Sequence, residues 1–146
     1  MSKKKGFKGK IGKLHLWFGL GIGFFVFIIS ITGALYAFQA EITDYLRKEA
    51  IYHNETNIAS KAVLPLKVLE KKVNAYTNEK YPIHWVNVPV DKRYSYVFYY
   101  YEHNPKAWNY FDEYVIYKSV YVNPFSGEVL AVYDETRDFF NIVKSI

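Results

Sequence analysis

The stretch that decides the fold is Leu14–Ala40, LHLWFGLGIGFFVFIISITGALYAFQA, which runs for 27 residues without an Asp, Glu, Lys or Arg. A helix of this length is about 40 Å long at the usual rise of about 1.5 Å per residue. The hydrocarbon core of a bilayer is about 30 Å thick. The stretch therefore predicts one transmembrane helix over residues 14–40, in contact with membrane lipid.

The residues before this stretch are strongly basic. Six lysines and no acidic residue precede it: Lys3, Lys4, Lys5, Lys8, Lys10 and Lys13. By the positive-inside rule this tail, residues 1–13, stays in the cytoplasm, and the chain after about Glu41 lies on the far side of the membrane. A cleavable signal peptide is the competing interpretation, but its apolar region is only about 7–15 residues long and a small-x-small site follows it. We therefore expect an uncleaved single-pass anchor.

The net charge of +5 does not indicate nucleic-acid binding, because the tail holds six of the 19 basic residues and the remaining 13 face 14 acids. Anionic lipid at the cytoplasmic surface is sufficient to explain the basic tail. The chain has no cysteine, which excludes disulfides, thiol catalysis and cysteine-ligated zinc. About 100 residues follow the apolar stretch, which is enough for one small domain with its own core.

The predicted membrane helix has a face of small residues. With His15 set at 0° and about 100° per residue, this small face spans an arc of about 100°. Its members are Gly19, Gly23, Ser30, Gly33, Ala34 and Ala37. Aromatic residues occupy the opposite side, where we expect lipid. Since small residues let two helix backbones approach closely, the small face predicts packing against another transmembrane helix. Glycine is common in membrane helices, which is the simpler explanation of the run Gly19–Gly23 taken alone.

His15 lies on the small face, close to the cytoplasmic end of the stretch. A histidine buried between membrane helices is a candidate haem ligand, with a second histidine supplied by another helix. The alternative is an interfacial histidine that reaches lipid headgroups. One axial ligand without a visible partner leaves both interpretations open.

The remainder of the chain predicts an α+β domain. Residues 41–64 are expected to form a helical stalk and an irregular connector, and a helix with one apolar face begins at Pro65 and ends near Asn78. Alternating and aromatic segments predict four strands in an antiparallel sheet, at residues 83–90, 94–102, 113–122 and 128–133. The segment Asn123–Gly127 predicts a turn in which the glycine takes a positive φ.

Two motifs resemble a known family. The segment KLHLWFGL at residues 13–20, with TGAL at 32–35 and QAEI at 39–42, resembles the first helix of PepSY-associated transmembrane proteins. The segment VYVNPFSGEVL at residues 120–130 is similar to the closing hairpin of a PepSY domain. The resemblance implies a periplasmic PepSY-like domain at residues 65–135, followed by a C-terminal segment at 136–146, on a helix anchored in a bacterial inner membrane.

The resemblance also implies a link to iron or siderophore uptake. Some relatives look like haem-bearing membrane reductases in which histidines of the membrane helices hold haem, and His15 is the matching position. Larger relatives have further membrane helices, so this chain is either a small single-span relative or a fragment of the larger type. One span does not enclose a haem, so the alternative function is a non-enzymatic accessory subunit whose helix docks on a larger membrane complex.

Other catalytic or metal sites are not indicated. His53, His84 and His103 are scattered, and we expect them to be ordinary surface residues.

The 15 tyrosines are unusual, and many lie between residues 94 and 121. One face of the sheet should pack on the helix from Pro65, and the other should expose aromatic rings. Such rings favour contact with a protein or peptide partner, or they simply pair across the strands and stabilise the sheet.

Overall fold

The N-terminal helix α1 spans the 31 residues Phe7–Ala37. The structure is a computed structural model of the chain, and it describes residues 6–77, 82–109, 112–136 and 138–144. It contains most of the uncharged stretch and begins before Leu14, because lysine is a good helix former and is tolerated in its first turns. In the described part of the chain, α1 is the one helix long and apolar enough to cross a bilayer. The lysines of residues 1–5 lie outside the described residues.

Two short helices continue from α1. Phe38, with φ −98° and ψ 16°, interrupts the regular geometry, and α2 follows at Gln39–Leu46. After Arg47, the single-turn helix α3 spans Lys48–Ile51. The chain after the uncharged stretch is thus helical as expected, but Phe38 separates it from α1 and Arg47 divides it into α2 and α3.

The rest of the chain is a sheet with helices packed on it. Helix α4 spans Leu66–Thr77, after Pro65 as predicted, and its expected end at Asn78 lies outside the described residues. The strands are β1 (Ile83–Asn87), β2 (Tyr96–His103), β3 (Tyr114–Val122) and β4 (Val129–Asp134). They form one antiparallel sheet in the order β1-β2-β3-β4. A last short helix, α5, spans Phe139–Lys144. We call the part from α3 to β4 the sheet domain. The α+β prediction is confirmed.

The core lies between α4 and one face of the sheet. Leu69 and Val73 of α4 are fully buried against alternate residues of the two central strands, namely Phe98, Tyr100, Val120 and Val122. Burial of each such side chain contributes roughly 1.5–3 kcal/mol, so this layer is the main source of stability in the sheet domain. The prediction that this face packs on the helix from Pro65 is confirmed.

The opposite face of the sheet is only partly exposed, which corrects the sequence-based expectation. Ala50 of α3 packs on Val97 and Tyr121 and forms a second buried cluster. The segment after α3 also joins the domain, since Tyr52 bridges to Tyr94 and the Ser95 amide donates to the Ile51 carbonyl at 2.8 Å. These contacts link residues more than 40 positions apart, which local sequence patterns do not reveal.

The turn between β3 and β4 forms as predicted. Gly127 has φ +71°, and its amide donates to the Asn123 carbonyl at 2.8 Å. The Asn123 side chain accepts from the Phe125 amide at 2.9 Å. A Cβ on Gly127 would lie 2.5 Å from Cδ of Lys72, whose ammonium donates to the Ser126 carbonyl. Glycine is therefore favoured here by the positive φ, and a Cβ would also require the Lys72 side chain to move.

Candidate functional site: the face of small residues on α1

The six residues of the small face all lie on α1 and are exposed in the isolated chain. Regular helical geometry from Phe7 to Ala37 places them in the predicted arc of about 100°. The Ser30 hydroxyl donates to the Val26 carbonyl at 2.7 Å, so this polar group is satisfied within the helix. The Ser30 hydroxyl therefore needs no partner outside the helix, and the part of the small face from Gly19 to Ala37 is suited to an apolar neighbour.

The glycines of the small face make no packing contact that requires glycine. A Cβ added to Gly19, Gly23 or Gly33 would meet no atom within 4 Å. These glycines also lie inside a regular helix, where glycine costs about 1 kcal/mol relative to alanine. The described residues of this chain thus provide no structural reason for glycine at these positions.

Helix α5 contacts α1. The partly shielded residues in this half of α1 are Ile28, Thr32 and Leu35, and they fall at about 200–260° on the helical wheel. This is the side on which we expected lipid, and it is opposite the small face. Phe140 and Val143 of α5 are buried. The one described helix that packs along α1 therefore leaves the small face uncovered.

A shallow groove of about 580 Å³ borders the small face and crosses from α1 into α2. It is lined by Ile31, Ala34, Leu35, Phe38, Glu41, Ile42, Tyr45 and Leu46. These positions repeat at three- and four-residue spacing, as in the contact stripe of a packed helix. The apolar surface of α1 thus extends beyond the uncharged stretch, onto α2.

His15 is exposed on the small face, as the sequence predicted for its position. The other three histidines, His53, His84 and His103, all lie in the sheet domain, beyond the opposite end of α1. His15 is separated from Ala37 by about 33 Å of helix. The described residues therefore offer one axial ligand near the N-terminal end of α1 and do not by themselves fit a haem held by two histidines.

A partly buried ion pair connects the end of α2 to the segment that follows β4. Arg47, at the end of α2, forms two hydrogen bonds with the Glu135 carboxylate, at 2.5 and 3.1 Å, and one with Asp138 at 3.1 Å. Its guanidinium also lies over the Tyr133 ring, 4.3 Å from the centroid. Ser119 donates a further hydrogen bond to Glu135. We call Arg47, Glu135 and Asp138 the junction cluster.

The environment of the junction cluster favours the charged form of Arg47. Burial alone lowers the pKa of Arg47, but hydrogen bonds and negative charge from Glu135 and Tyr121 outweigh burial and raise that pKa above its ordinary value. Burial also raises the pKa of Tyr121 and of Tyr99, which lie beside this cluster. Sequence reasoning missed the junction cluster because Arg47 and Glu135 are 88 positions apart.

Stacked rings cover the rest of the sheet face on which α3 packs. Trp85 stacks on Tyr99 with ring centroids 3.9 Å apart, and His84 stacks on Tyr101 at 3.8 Å. A bulge between Ile83 and Trp85 allows both β1 side chains to meet β2 rings. Tyr117 joins the two stacks at 6.3 and 6.2 Å. The structure thus contains the predicted cross-strand pairing, while Trp85 remains 47% exposed at the edge.

The histidines of the sheet domain differ in environment. His84 and His103 are exposed as expected, but His53 is only 8% exposed. Its Nε2 donates to the Lys92 carbonyl at 2.7 Å while Nδ1 accepts from the Glu55 amide at 3.3 Å, so both ring nitrogens are used. The prediction that His53 is a surface residue is wrong. Within residues 6–77, 82–109, 112–136 and 138–144, no group of three or more His, Asp or Glu side chains is placed to hold a metal ion.

A family model described as the PepSY-associated TM region matches residues 13–146. This match covers α1, the sheet domain and α5 together. The chain belongs to the PepSY-associated TM family. It is therefore a membrane-anchored PepSY protein, and the family resemblance seen in its sequence is confirmed. No curated protein and no solved structure matches the chain. The arrangement of the small face and the junction cluster in this PepSY-associated protein thus rests on its own geometry.

Proposed function

We propose that this protein is a non-enzymatic accessory subunit of a larger complex in the bacterial inner membrane. In this proposal residues 1–13 are a cytoplasmic tail, 14–40 cross the membrane and 41–64 connect to a periplasmic PepSY-like domain at 65–135, with 136–146 as a C-terminal segment. The small face of α1 packs against a transmembrane helix of the partner. The supporting observation is that the glycines of this face contact no described residue that would exclude a larger side chain, while α5 packs on the other side of α1.

Bulky substitutions on the small face test this proposal. We expect Gly19→Ile combined with Gly23→Ile to reduce the recovery of copurifying membrane proteins at least several-fold after mild solubilisation, because the helices no longer approach closely. Gly21→Ile is the matched control, since Gly21 is equally open but lies at about 240°, away from the small face. Recovery is measured by quantitative mass spectrometry.

The control also determines how a negative result is interpreted. Equal recovery from the wild type and the Gly19/Gly23 variant would contradict packing through the small face. Equal loss in the Gly21 control would show that any bulky residue in α1 disturbs insertion, and it would contradict a specific role for this face.

A second candidate function is a haem-linked reductase role in iron or siderophore handling. It is favoured by one observation, that His15 is exposed on the small face. In our proposal this is the face that packs against a partner helix. A haem held there would take its second axial ligand from the partner, because the other histidines of this chain are in the sheet domain. When bound, haem would supply one-electron transfer, and His15 would hold its iron.

Absorbance separates the two candidates. If the second is correct, the complex purified without denaturation shows a Soret band that is lost in His15→Ala and retained in His84→Ala, a control that changes an exposed histidine of the sheet domain. A Soret band that His15→Ala leaves unchanged would contradict the ligand role. Copurifying membrane proteins without haem would favour the accessory role.

The sheet domain offers a surface for a protein or peptide partner. Trp85 and His84 are exposed at the edge of the stacked rings, and exposed aromatic rings are enriched at protein interfaces. In the accessory role, this surface would contact a periplasmic component of the same complex. Trp85→Ala should then weaken that contact while copurification through α1 persists.

A further inference from the structure

The β2–β3 hairpin extends beyond the rest of the sheet. The last pair of β3 with β4 is Lys118 with Asp134, whereas β3 continues to pair with β2 as far as Tyr114. The Glu135 amide still donates to the Tyr117 carbonyl at 2.7 Å, so β3 extends three residues beyond this contact, from Tyr114 to Ile116. Three residues of strand span about 10 Å. Among the described residues, those of the hairpin loop at 104–109 and 112 therefore lie beyond the last pairing of β3 with β4.

This end of the sheet is also the end closest to the membrane helix. Glu135, directly after β4, is hydrogen bonded to Arg47, and α5, which begins four residues later, contacts α1. Arg47 is seven residues beyond Ala40, the last residue of the uncharged stretch, or about 10 Å along a helix. The overhang of about 10 Å matches this distance, so strands aligned with the axis of α1 would bring the hairpin loop to the level of the bilayer surface.

The loop presents an exposed tryptophan there. Trp108 is 89% exposed, which is unusual because tryptophan is highly buried on average. The loop around it is held by two asparagines: Asn104 accepts from the Lys106 amide at 3.1 Å, and Asn109 accepts from the Asp112 amide at 3.0 Å. Among the described residues of the loop, the exposed ring is therefore flanked by two side-chain-to-backbone hydrogen bonds.

We propose that Trp108 inserts into the lipid headgroup region of the same bilayer that α1 spans, on the side where the sheet domain lies. Tryptophan favours this interface because its ring is apolar and its N–H finds polar partners. The charges of the loop are mixed, with Lys106 near Asp112, so headgroup charge is not required. The sheet domain then touches the membrane at two points, the end of α1 and the tip of the hairpin. This contact is additional to the accessory or haem roles.

Quenching by lipid tests the contact in the full chain. We compare two single-tryptophan proteins in phosphatidylcholine vesicles whose acyl chains are brominated near the headgroup. One is Trp17→Phe with Trp85→Phe, which keeps Trp108. The other adds Trp108→Phe and Val90→Trp as a control, since Val90 is fully exposed in the connection at the opposite end of the sheet. We expect Trp108 to be quenched several-fold more than tryptophan at position 90.

Two results would overturn the inference. One is equal quenching at the two positions. The other is a Trp108 shielded from aqueous acrylamide but insensitive to brominated lipid, which would indicate a protein contact instead. Alkaline extraction of the membranes tests separately whether α1 spans the bilayer. Release of the wild-type chain by alkali would contradict membrane spanning by α1 as well as the contact of Trp108. Spin-labelled Trp108→Cys, in a chain without native cysteine, gives an independent depth measurement should the fluorescence variants fold poorly.

Discussion

Local chemistry explains single residues well, but burial of polar residues depends on distant contacts. Gly127 was predictable because the turn Asn123–Gly127 needs a positive φ, and the structure has it. His53 was not predictable, because its partners Lys92 and Glu55 meet it only when the segment after α3 folds onto the sheet. The helical face on which His15 lies was predictable from its position in the sequence, because the residue lies within a regular helix.

At the residue scale, buried tyrosines make the sheet domain sensitive to alkali. Burial raises the pKa of Tyr99, so its contribution to stability is present below the unfolded-state value of about pH 10 and is lost as pH rises beyond it. The loss is up to about 1.4 kcal/mol for each pH unit and each such tyrosine. We expect Tyr99→Phe to reduce this alkaline loss.

The measurement is the free energy of unfolding in detergent on either side of about pH 10. Tyr45→Phe is the matched control because Tyr45 is 82% exposed. If both variants lose stability with pH as steeply as the wild type, Tyr99 does not retain its proton in the folded state.

At the scale of elements, periodicity was sufficient for helices and strands but not for their contacts. The apolar face of α4 and the alternation in β2 and β3 predicted both the elements and the layer between them, because each signal repeats within one segment. The packing of α3 on the sheet and of α5 on α1 was not predicted. These contacts join short elements whose few residues have too little periodicity to indicate a buried face.

The junction cluster predicts a large difference between two arginines. Arg47 pairs with Glu135 where the two side chains are only 13% and 12% exposed. Arg47→Ala removes the cation from two partly buried carboxylates and should cost about 3 kcal/mol. Arg93 pairs with Asp91 at the surface, and Arg93→Ala should leave stability nearly unchanged. Denaturant unfolding of the full chain in detergent, followed by near-UV circular dichroism, compares the two. Similar losses in both variants would show that the junction cluster is not a major support.

At the scale of the whole molecule, the sequence predicted the candidate site but not its surroundings. The small face follows from the positions of glycine, serine and alanine along one helix, and no tertiary information was needed. That α5 packs on the other side depends on the path of the chain through the sheet domain, which brings residue 139 back to α1.

Orientation in the membrane is a prediction at this scale. The lysine-rich tail should keep the N-terminus in the cytoplasm and place the sheet domain in the periplasm. Because the chain has no cysteine, Ser2→Cys and Ser126→Cys each introduce a single reactive thiol. In intact cells with a permeable outer membrane, an impermeant maleimide should label position 126 and not position 2. The reverse pattern would contradict the orientation.

The junction cluster makes the anchor and the sheet domain turn together. One residue of helical rotation is about 100°, and such a rotation of α2 about its axis would pull the Arg47 guanidinium away from Glu135 and Asp138. The orientation of the helix is thus coupled to that of the sheet through the hydrogen bonds of Arg47. A partner helix that packs on the small face would fix the rotation of α1 about its axis. It would thereby also influence the direction in which the exposed aromatic edge of the sheet faces above the membrane.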